Sequence, residues 1–395
     1  MNTIWQDLVT RFQAEYGAAG EIRKFFTPGR VNLIGEHIDY NGGRVFPCAL
    51  DIGTYAVVRP REDYLVRFAS ENMEFKNEVD IRAIEYKKED HWTNYPKGTI
   101  KMLQDYLKEQ GKDVSVIKGM DILYQGNIPN GSGLSSSASI EVLTALVVNE
   151  LWNLGIDRIT LVKLCQKGEN TFNGVSSGIM DQFAVGMGKA DHAIYLDTGD
   201  LSYEYVPCIL KDTVLIIGNT NKKRGLADSK YNERLAECRQ ALAELQKVRP
   251  LNHLCELSAD EWQELKGHVT EGVIRNRAEH AVMENVRVKE AVEVLQKNDL
   301  VRFGELLNAS HDSLRDLYDV TGIELDTMVE EARKIQGVYG SRMTGAGFGG
   351  CTVSLVKKEA AEKFEQEVGA AYEAKTGLKP EFYIVNIGDG AGEVK

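Results

Sequence analysis

Four residues able to bind or stabilise charged and hydroxylated groups lie between positions 30 and 39, in the segment PGRVNLIGEHIDYNGG: Arg30, Glu36, His37 and Asp39. Arginine is a fixed cation and can stabilise negative charge developing on a phosphoryl group. A glutamate, a histidine and an aspartate so close together offer several acceptors and one switchable donor, a set suited to the hydroxyls of a sugar. A polar turn after an edge strand has the same composition, so the cluster alone leaves both readings open.

A second stretch, GNIPNGSGLSSSAS from Gly126 to Ser139, has the make-up of a phosphate-binding loop but no lysine. The strand-like run GMDILYQGNIP leads into it, and a helix apolar almost all round, over 134–154, begins inside it. The free N–H groups and positive dipole end of such a helix attract an anion. Gly131 and Gly133 let the backbone approach a ligand closely. A Gly/Ser linker has similar letters, but linkers do not run directly into a buried apolar helix. A divalent cation can replace the lysine. Magnesium keeps several waters and needs only one or two protein oxygens, which the Ser137 hydroxyl and the Glu169 carboxylate could supply. On spacing alone, Glu169 reads as a solvated surface acid.

Two other glycine-rich motifs fail their context. GAGFGG, residues 345–350, matches the dinucleotide pattern, but the sequence places a helix before it and the strand CTVSLV after it, the reverse of the required order. It reads as a tight turn. GVSSG, residues 174–178, fits the hydrolase pattern G-x-S-x-G, yet the helical run ITLVKLCQKGENTF precedes it where a strand is needed.

The elements that must position these residues are of both kinds. Ile4, Leu8, Val9, Phe12 and Tyr16 mark one face of an N-terminal helix. The strand-like runs EIRKFFTPGRVNLIGEH, RVFPCALDIGTYAVVRP and YLVRFAS follow, with helices over 95–110 and 160–172 and strands DHAIYLDT, LSYEYVP and TVLIIGNT. Charged amphipathic helices dominate 228–337, and a closing unit has strand CTVSLV, a helix over 358–376 and strand FYIVNIG. The pattern is α+β in two domains, 1–208 and 209–395, with a last strand that can return to the first domain.

Composition narrows the function. The chain has 395 residues and a formal net charge of −12, which disfavours non-specific binding to nucleic acid or anionic lipid. Its cysteines are scattered without a C-x-x-C pair, so they read as buried thiols in a reducing compartment. Asp7, Arg11 and Glu15 interrupt any signal-peptide core, and no apolar run is long enough to span a membrane. The expectation is a soluble cytoplasmic protein, monomeric, with no nucleic-acid or membrane partner.

Taken together, the motifs resemble a known family. GRVNLIGEHIDY is similar to the galactokinase signature, PNGSGLSSSAS resembles the ATP loop of the GHMP small-molecule kinases, and MTGAGFGG resembles that superfamily's third motif. GIMDQ and SKYNER fall where galactokinases carry them, and the match runs from about residue 25 to the C-terminus. The resemblance implies a ribosomal-S5-like N-terminal domain and an α+β C-terminal domain with the active site between them. It implies Mg2+-dependent transfer from ATP to the anomeric hydroxyl of galactose, the first step of galactose catabolism. Asp181 then matches the catalytic base and Arg30 the transition-state stabiliser. Glu36, His37, Asp39, Gly178 and Tyr231 match sugar contacts. Gly131, Ser132, Gly133, Leu134, Ser135, Ser136 and Ser137 match the phosphate loop, and Ser70 a further nucleotide contact. Ser137 and Glu169 match the magnesium ligands.

An arginine beside Asp181 leaves two roles for that carboxylate, taking the proton or orienting the hydroxyl. A kinase for N-acetylgalactosamine or arabinose, or a non-catalytic sugar sensor, would share the fold. Two departures stand out: Leu235 replaces an arginine common in bacterial relatives, which suggests altered surface charge, and Ala346 replaces a glycine in the third motif.

Overall fold

The computed structural model describes residues 2–129, 133–175, 177–222 and 227–394. Its strands are β1 (Arg23–Asn32), β2 (Arg44–Val45), β3 (Pro47–Pro60), β4 (Leu65–Ser70), β5 (Met73–Asp80), β6 (Met120–Gly126), β7 (His192–Asp197), β8 (Tyr203–Pro207), β9 (Thr213–Asn219), β10 (Val338–Thr344), β11 (Cys351–Lys357), β12 (Glu381–Val385) and β13 (Gly392–Val394).

The N-terminal half is built on a six-stranded sheet in the order β13-β1-β3-β6-β4-β5. Both of its faces are covered. On one, the helix Asn2–Tyr16 lays Leu8 and Phe12 against Tyr55, Val57 and Leu123, the amphipathic face its sequence shows. On the other lie the helices Asn94–Glu109, Ser136–Leu151 and Arg158–Thr171. The middle of Ser136–Leu151 is apolar all round because it is enclosed all round: Val142, Leu143, Val147 and Val148 are all buried. Asp157 starts the next helix by accepting the Thr160 N–H at 3.0 Å.

The C-terminal half contains an antiparallel sheet in the order β10-β11-β9-β12. The helices Leu300–Ser313, Gly322–Lys334 and Ala361–Thr376 pack around it. One apolar cluster joins Val31, Leu33 and Phe46 to Leu215, Ile217, Trp262 and Met343, so the two halves share a core. The chain closes by laying β13 beside β1, with Lys24 opposite Val394. The six cysteines are buried, as their scatter suggested. Among the described residues, no helix is long and apolar enough to cross a membrane.

Two expectations need correction, and one strand was not foreseen. The segment before GAGFGG is the strand β10, not a helix, so the glycines turn a β10–β11 hairpin. The dinucleotide motif still fails, because a strand follows where a helix should open. Leu235 does not alter surface charge, since it is 8% exposed and turned inward. The edge strand β5 has no counterpart in the sequence reading; its alternation is masked by polar residues on both faces.

Candidate active site

Arg30 is aimed by an irregularity in β1. The β1–β3 register shifts between Pro28 and Arg30, and a bulge of this kind redirects a side chain. Gly29 is required there, because a Cβ would stand 2.9 Å from the Leu134 carbonyl. The Arg30 N–H donates to that same carbonyl at 3.2 Å, seating β1 against the end of the glycine-rich loop. The Arg30 guanidinium is buried, with the residue 3% exposed. It donates through Nη1 to the Gly133 carbonyl at 2.6 Å and through Nε to Asp181 Oδ1 at 2.9 Å, and Nη2 lies 2.7 Å from Oδ1.

Asp181 sits in the first turn of the helix Met180–Met187. Its second oxygen, Oδ2, accepts the Ser135 hydroxyl at 2.6 Å. Ser135 is held at φ 61°, left-handed for a residue with a Cβ, immediately before the helix Ser136–Leu151. Such a conformation costs about 1–3 kcal/mol and persists where surrounding structure enforces it.

Arg30 and Asp181 line a cavity of about 420 Å³. Glu36, His37 and Asp39 line another part of its wall, with Gly178, Tyr231 and Ala346. Glu36 is buried and its Oε1 is engaged by the third motif, accepting the Gly345 N–H at 2.8 Å and the Thr344 hydroxyl at 3.0 Å. Arg342, fully buried, faces the same oxygen at 3.2 Å. His37 Nδ1 lies 2.7 Å from the Tyr40 hydroxyl and Nε2 3.1 Å from the Ala346 carbonyl. Burial, with His280 nearby, lowers the His37 imidazole to about 3. Burial, then the charges of Asp181 and Glu36, push the Asp39 carboxyl up to about 7. Gly178 has no room for a side chain, because a Cβ would meet Asp39 Oδ2 at 1.8 Å.

Beside this wall, Glu169 lies near the end of the helix Arg158–Thr171 and is only 6% exposed. That overturns the reading of a solvated surface acid. Its Oε2 accepts the Ser177 hydroxyl at 2.8 Å and the Gln182 amide at 2.7 Å, and the Ser137 hydroxyl bonds it too. The same Gln182 amide donates to Glu141 Oε2 at 3.1 Å, while Glu141 Oε1 has no hydrogen-bond partner among the described residues. Burial raises both carboxyls. Two enclosed carboxyls held, among the described residues, by neutral donors fit a cation bound at Glu169. Among the described residues there is no group of three or more histidine, cysteine or acidic side chains able to cage a metal. One carboxylate plus one hydroxyl is instead the sparse oxygen set that magnesium shares with waters and phosphates.

The GHMP kinases N-terminal domain model matches residues 94–189, the galactokinase galactose-binding signature residues 10–60, and the GHMP kinases C-terminal model residues 291–374. The chain is 54% identical to a galactokinase of Fusobacterium nucleatum over 99% of its own length and 100% of the relative. The chain belongs to the galactokinase family. A galactokinase of Lactiplantibacillus plantarum is 49% identical, with 100% of both chains covered. The crystal structure of Lactococcus lactis galactokinase complexed with galactose matches at TM-score 0.95 and 46% identity, over 99% of this chain and 100% of that one. A Methanococcus jannaschii mevalonate kinase, 20% identical over 94% of this chain and 99% of its own, shares the fold at TM-score 0.67.

Within this galactokinase fold, the structure brings Arg30, Glu36, His37, Asp39, Gly178, Asp181, Tyr231 and Glu169 to one cavity. Gly133 and Ser135 join it through Arg30 and Asp181, and Ser137 through Glu169. Leu134 anchors β1, and Ser136, exposed, opens the helix. Gly131 and Ser132 lie outside the described residues, as does Ser176 of the hydrolase-like pattern. Ser70 ends β4 away from the cavity wall. Its hydroxyl accepts the Asn72 N–H at 3.2 Å, and the Asn72 side chain clamps Gly126, where β6 enters the loop.

Sequence reasoning missed Tyr40, Glu141, Gln182, Arg342 and Thr344. Gln182 and Thr344 stand inside the quoted motifs, which was a usable signal. Glu141 is an acid one turn into a largely apolar helix, which was another.

Proposed function

We infer that the protein transfers the γ-phosphoryl group of ATP to the anomeric hydroxyl of galactose, giving galactose 1-phosphate and ADP. The observation that carries this reading is the Arg30–Asp181 pair in the wall of the cavity, with Arg30 also bound to the Gly133 carbonyl of the glycine-rich loop. That arrangement puts a fixed cation between the loop that would hold phosphates and the carboxylate that would meet a sugar hydroxyl.

Phosphoryl transfer asks the protein chiefly for alignment and charge stabilisation. The loop from Gly131 to Ser137 cradles the phosphates at the start of the helix Ser136–Leu151, with Ser70 bracing the strand that enters the loop. Ser137 and Glu169 would hold Mg2+, which when bound would draw charge from the phosphate oxygens. Glu36, His37, Asp39, Tyr231 and the Gly178 backbone orient the sugar. The anomeric O–H breaks as its oxygen bonds to the γ-phosphorus and the bond to ADP breaks. Asp181 receives the proton at Oδ2, the oxygen that Arg30 does not engage. Arg30 stabilises charge on the transferring group.

Residues 1–208 and 209–395 act as the two lobes around this site. We read the protein as a cytoplasmic monomer without nucleic-acid or membrane partners; its net charge of −12 disfavours binding to nucleic acid and anionic membranes. A coupled assay of ADP release with galactose, N-acetylgalactosamine and arabinose tests the function. Galactose is expected to give the highest kcat/KM, and no ADP release with galactose overturns the reading.

A further inference from the structure

We infer that Tyr40 is a positioning residue for the sugar site: its hydroxyl fixes His37 as the neutral imidazole protonated on Nε2, so that the cavity wall offers a donor beside the acceptor carbonyl of Ala346. The sugar part of this inference rests on the functional reading above.

The proton assignment follows from the partners. A backbone carbonyl only accepts, so the contact between His37 Nε2 and the Ala346 carbonyl at 3.1 Å requires the hydrogen on Nε2. Nδ1 then carries a lone pair, and Tyr40, 2.7 Å away, must donate to it. A phenol has one proton. Tyr40 therefore accepts at its contact with the Tyr318 hydroxyl, 3.0 Å away, and Tyr318 donates. By the same count the Cys238 thiol, 3.0 Å from the Tyr318 oxygen, donates to it. The four groups form a one-way chain from Cys238 through Tyr318 and Tyr40 to His37. It sits inside the protein: Tyr318 and Cys238 are buried, and burial lowers His37, which keeps the ring neutral.

The chain also fixes where the ring points. His37 has φ 62°, and the Asn41 amide holds its carbonyl at 3.0 Å. The rings of His37 and Tyr40 both lie against Tyr231, with centroids 5.5 and 5.4 Å from it. Both His37 and Ala346 line the cavity. A sugar hydroxyl arriving at that edge can share Nε2–H as a second acceptor and donate to the remaining lone pair of the Ala346 carbonyl, which is the way a hydroxyl satisfies both of its roles. Without the Tyr40 donor, the proton can move to Nδ1, leaving Nε2 and the carbonyl as two acceptors facing each other.

The test uses the full-length enzyme. Long-range 1H–15N spectra, with the His37 signals assigned by their loss in His37→Gln, should show the Nε2-protonated neutral form without substrate at pH 7. Tyr40→Phe should change that signal and raise the galactose KM about tenfold, the scale of one buried hydrogen bond. Its kcat and ATP KM should stay within about twofold of native, a split that loss of folding would not produce. Tyr318→Phe, which keeps the Tyr40 donor, should have a smaller effect on both readouts. The inference is overturned if native His37 is protonated on Nδ1 or charged, or if Tyr40→Phe leaves the galactose KM unchanged or damages ATP and galactose KM alike. Failure of the native protein to phosphorylate galactose overturns the functional reading instead, because the spectra need no substrate.

Discussion

The Ser135 hydroxyl donates to Asp181 Oδ2 at 2.6 Å, joining the end of the glycine-rich loop to the helix Met180–Met187. Arg30 takes the other carboxylate oxygen. Asp181 is thus held from both sides by groups that also touch or belong to the loop. Ser135→Ala keeps the left-handed backbone problem unchanged and removes only the hydroxyl. We expect kcat to fall about tenfold, the scale of one hydrogen bond, with little change in galactose KM. Steady-state kinetics check this, and a raised KM at normal kcat would place Ser135 in binding only.

Glu36 lines the cavity and forms the joint with the third motif at once. Glu36→Ala leaves buried Arg342 without its counter-charge. Breaking a buried pair in this way costs about 3–5 kcal/mol, so the melting temperature should drop clearly. Glu36→Gln loses the counter-charge as well but keeps an oxygen acceptor for Gly345, Thr344 and Arg342, so its Tm should fall less than that of Glu36→Ala, while galactose KM still rises and ATP KM stays within about twofold. Differential scanning calorimetry beside kinetics separates the two roles; equal loss of both affinities in Glu36→Gln would make Glu36 purely structural.

Asp39 predicts a pH dependence with a defined sign. Its folded value, pushed up to about 7, lies above the ordinary carboxyl value, so the folded state binds the proton more tightly. That contribution favours folding at low pH and is lost as pH rises through 7. Asp39→Asn should therefore raise Tm more at pH 8 than at pH 5 while weakening galactose binding. Melting curves at the two pH values test it, and an equal gain at both would contradict the shift.

Much of this site is readable from letters alone, for physical reasons. The loop stands out because a strand, glycines and an all-round apolar helix follow in the order that anion binding needs. Glu169 does not stand out: a single acid on an amphipathic helix looks solvated, and its burial depends on Gln182, Ser177 and Ser137 arriving from elsewhere. Arg342 is equally opaque. It lies 306 positions from Glu36 (342 − 36), and a strand arginine ordinarily reads as a solvent-facing charge. The strand β10 is hidden because a short strand soon after a helix offers too few residues to show its own period.

Glu169 and Glu141 together predict a metal-linked stability. Burial raises both carboxyls, and the charge of Glu169 raises Glu141 further. Glu169→Gln should stabilise the metal-free protein at pH 8, abolish the rise of Tm with added Mg2+, and raise the Mg2+ needed for half-maximal activity at least about tenfold. Thermal melts across a Mg2+ titration read this directly. An undiminished Mg2+ effect on Tm would move the cation elsewhere.

The central claim is that Asp181 acts on the sugar hydroxyl from its place beside Arg30. Single-turnover phosphoryl transfer by Asp181→Asn, with galactose binding measured in parallel by calorimetry, tests it most directly. Transfer is expected to slow by at least about a hundredfold, the lower end of general-base contributions, while galactose still binds. Transfer at nearly the native rate would contradict it.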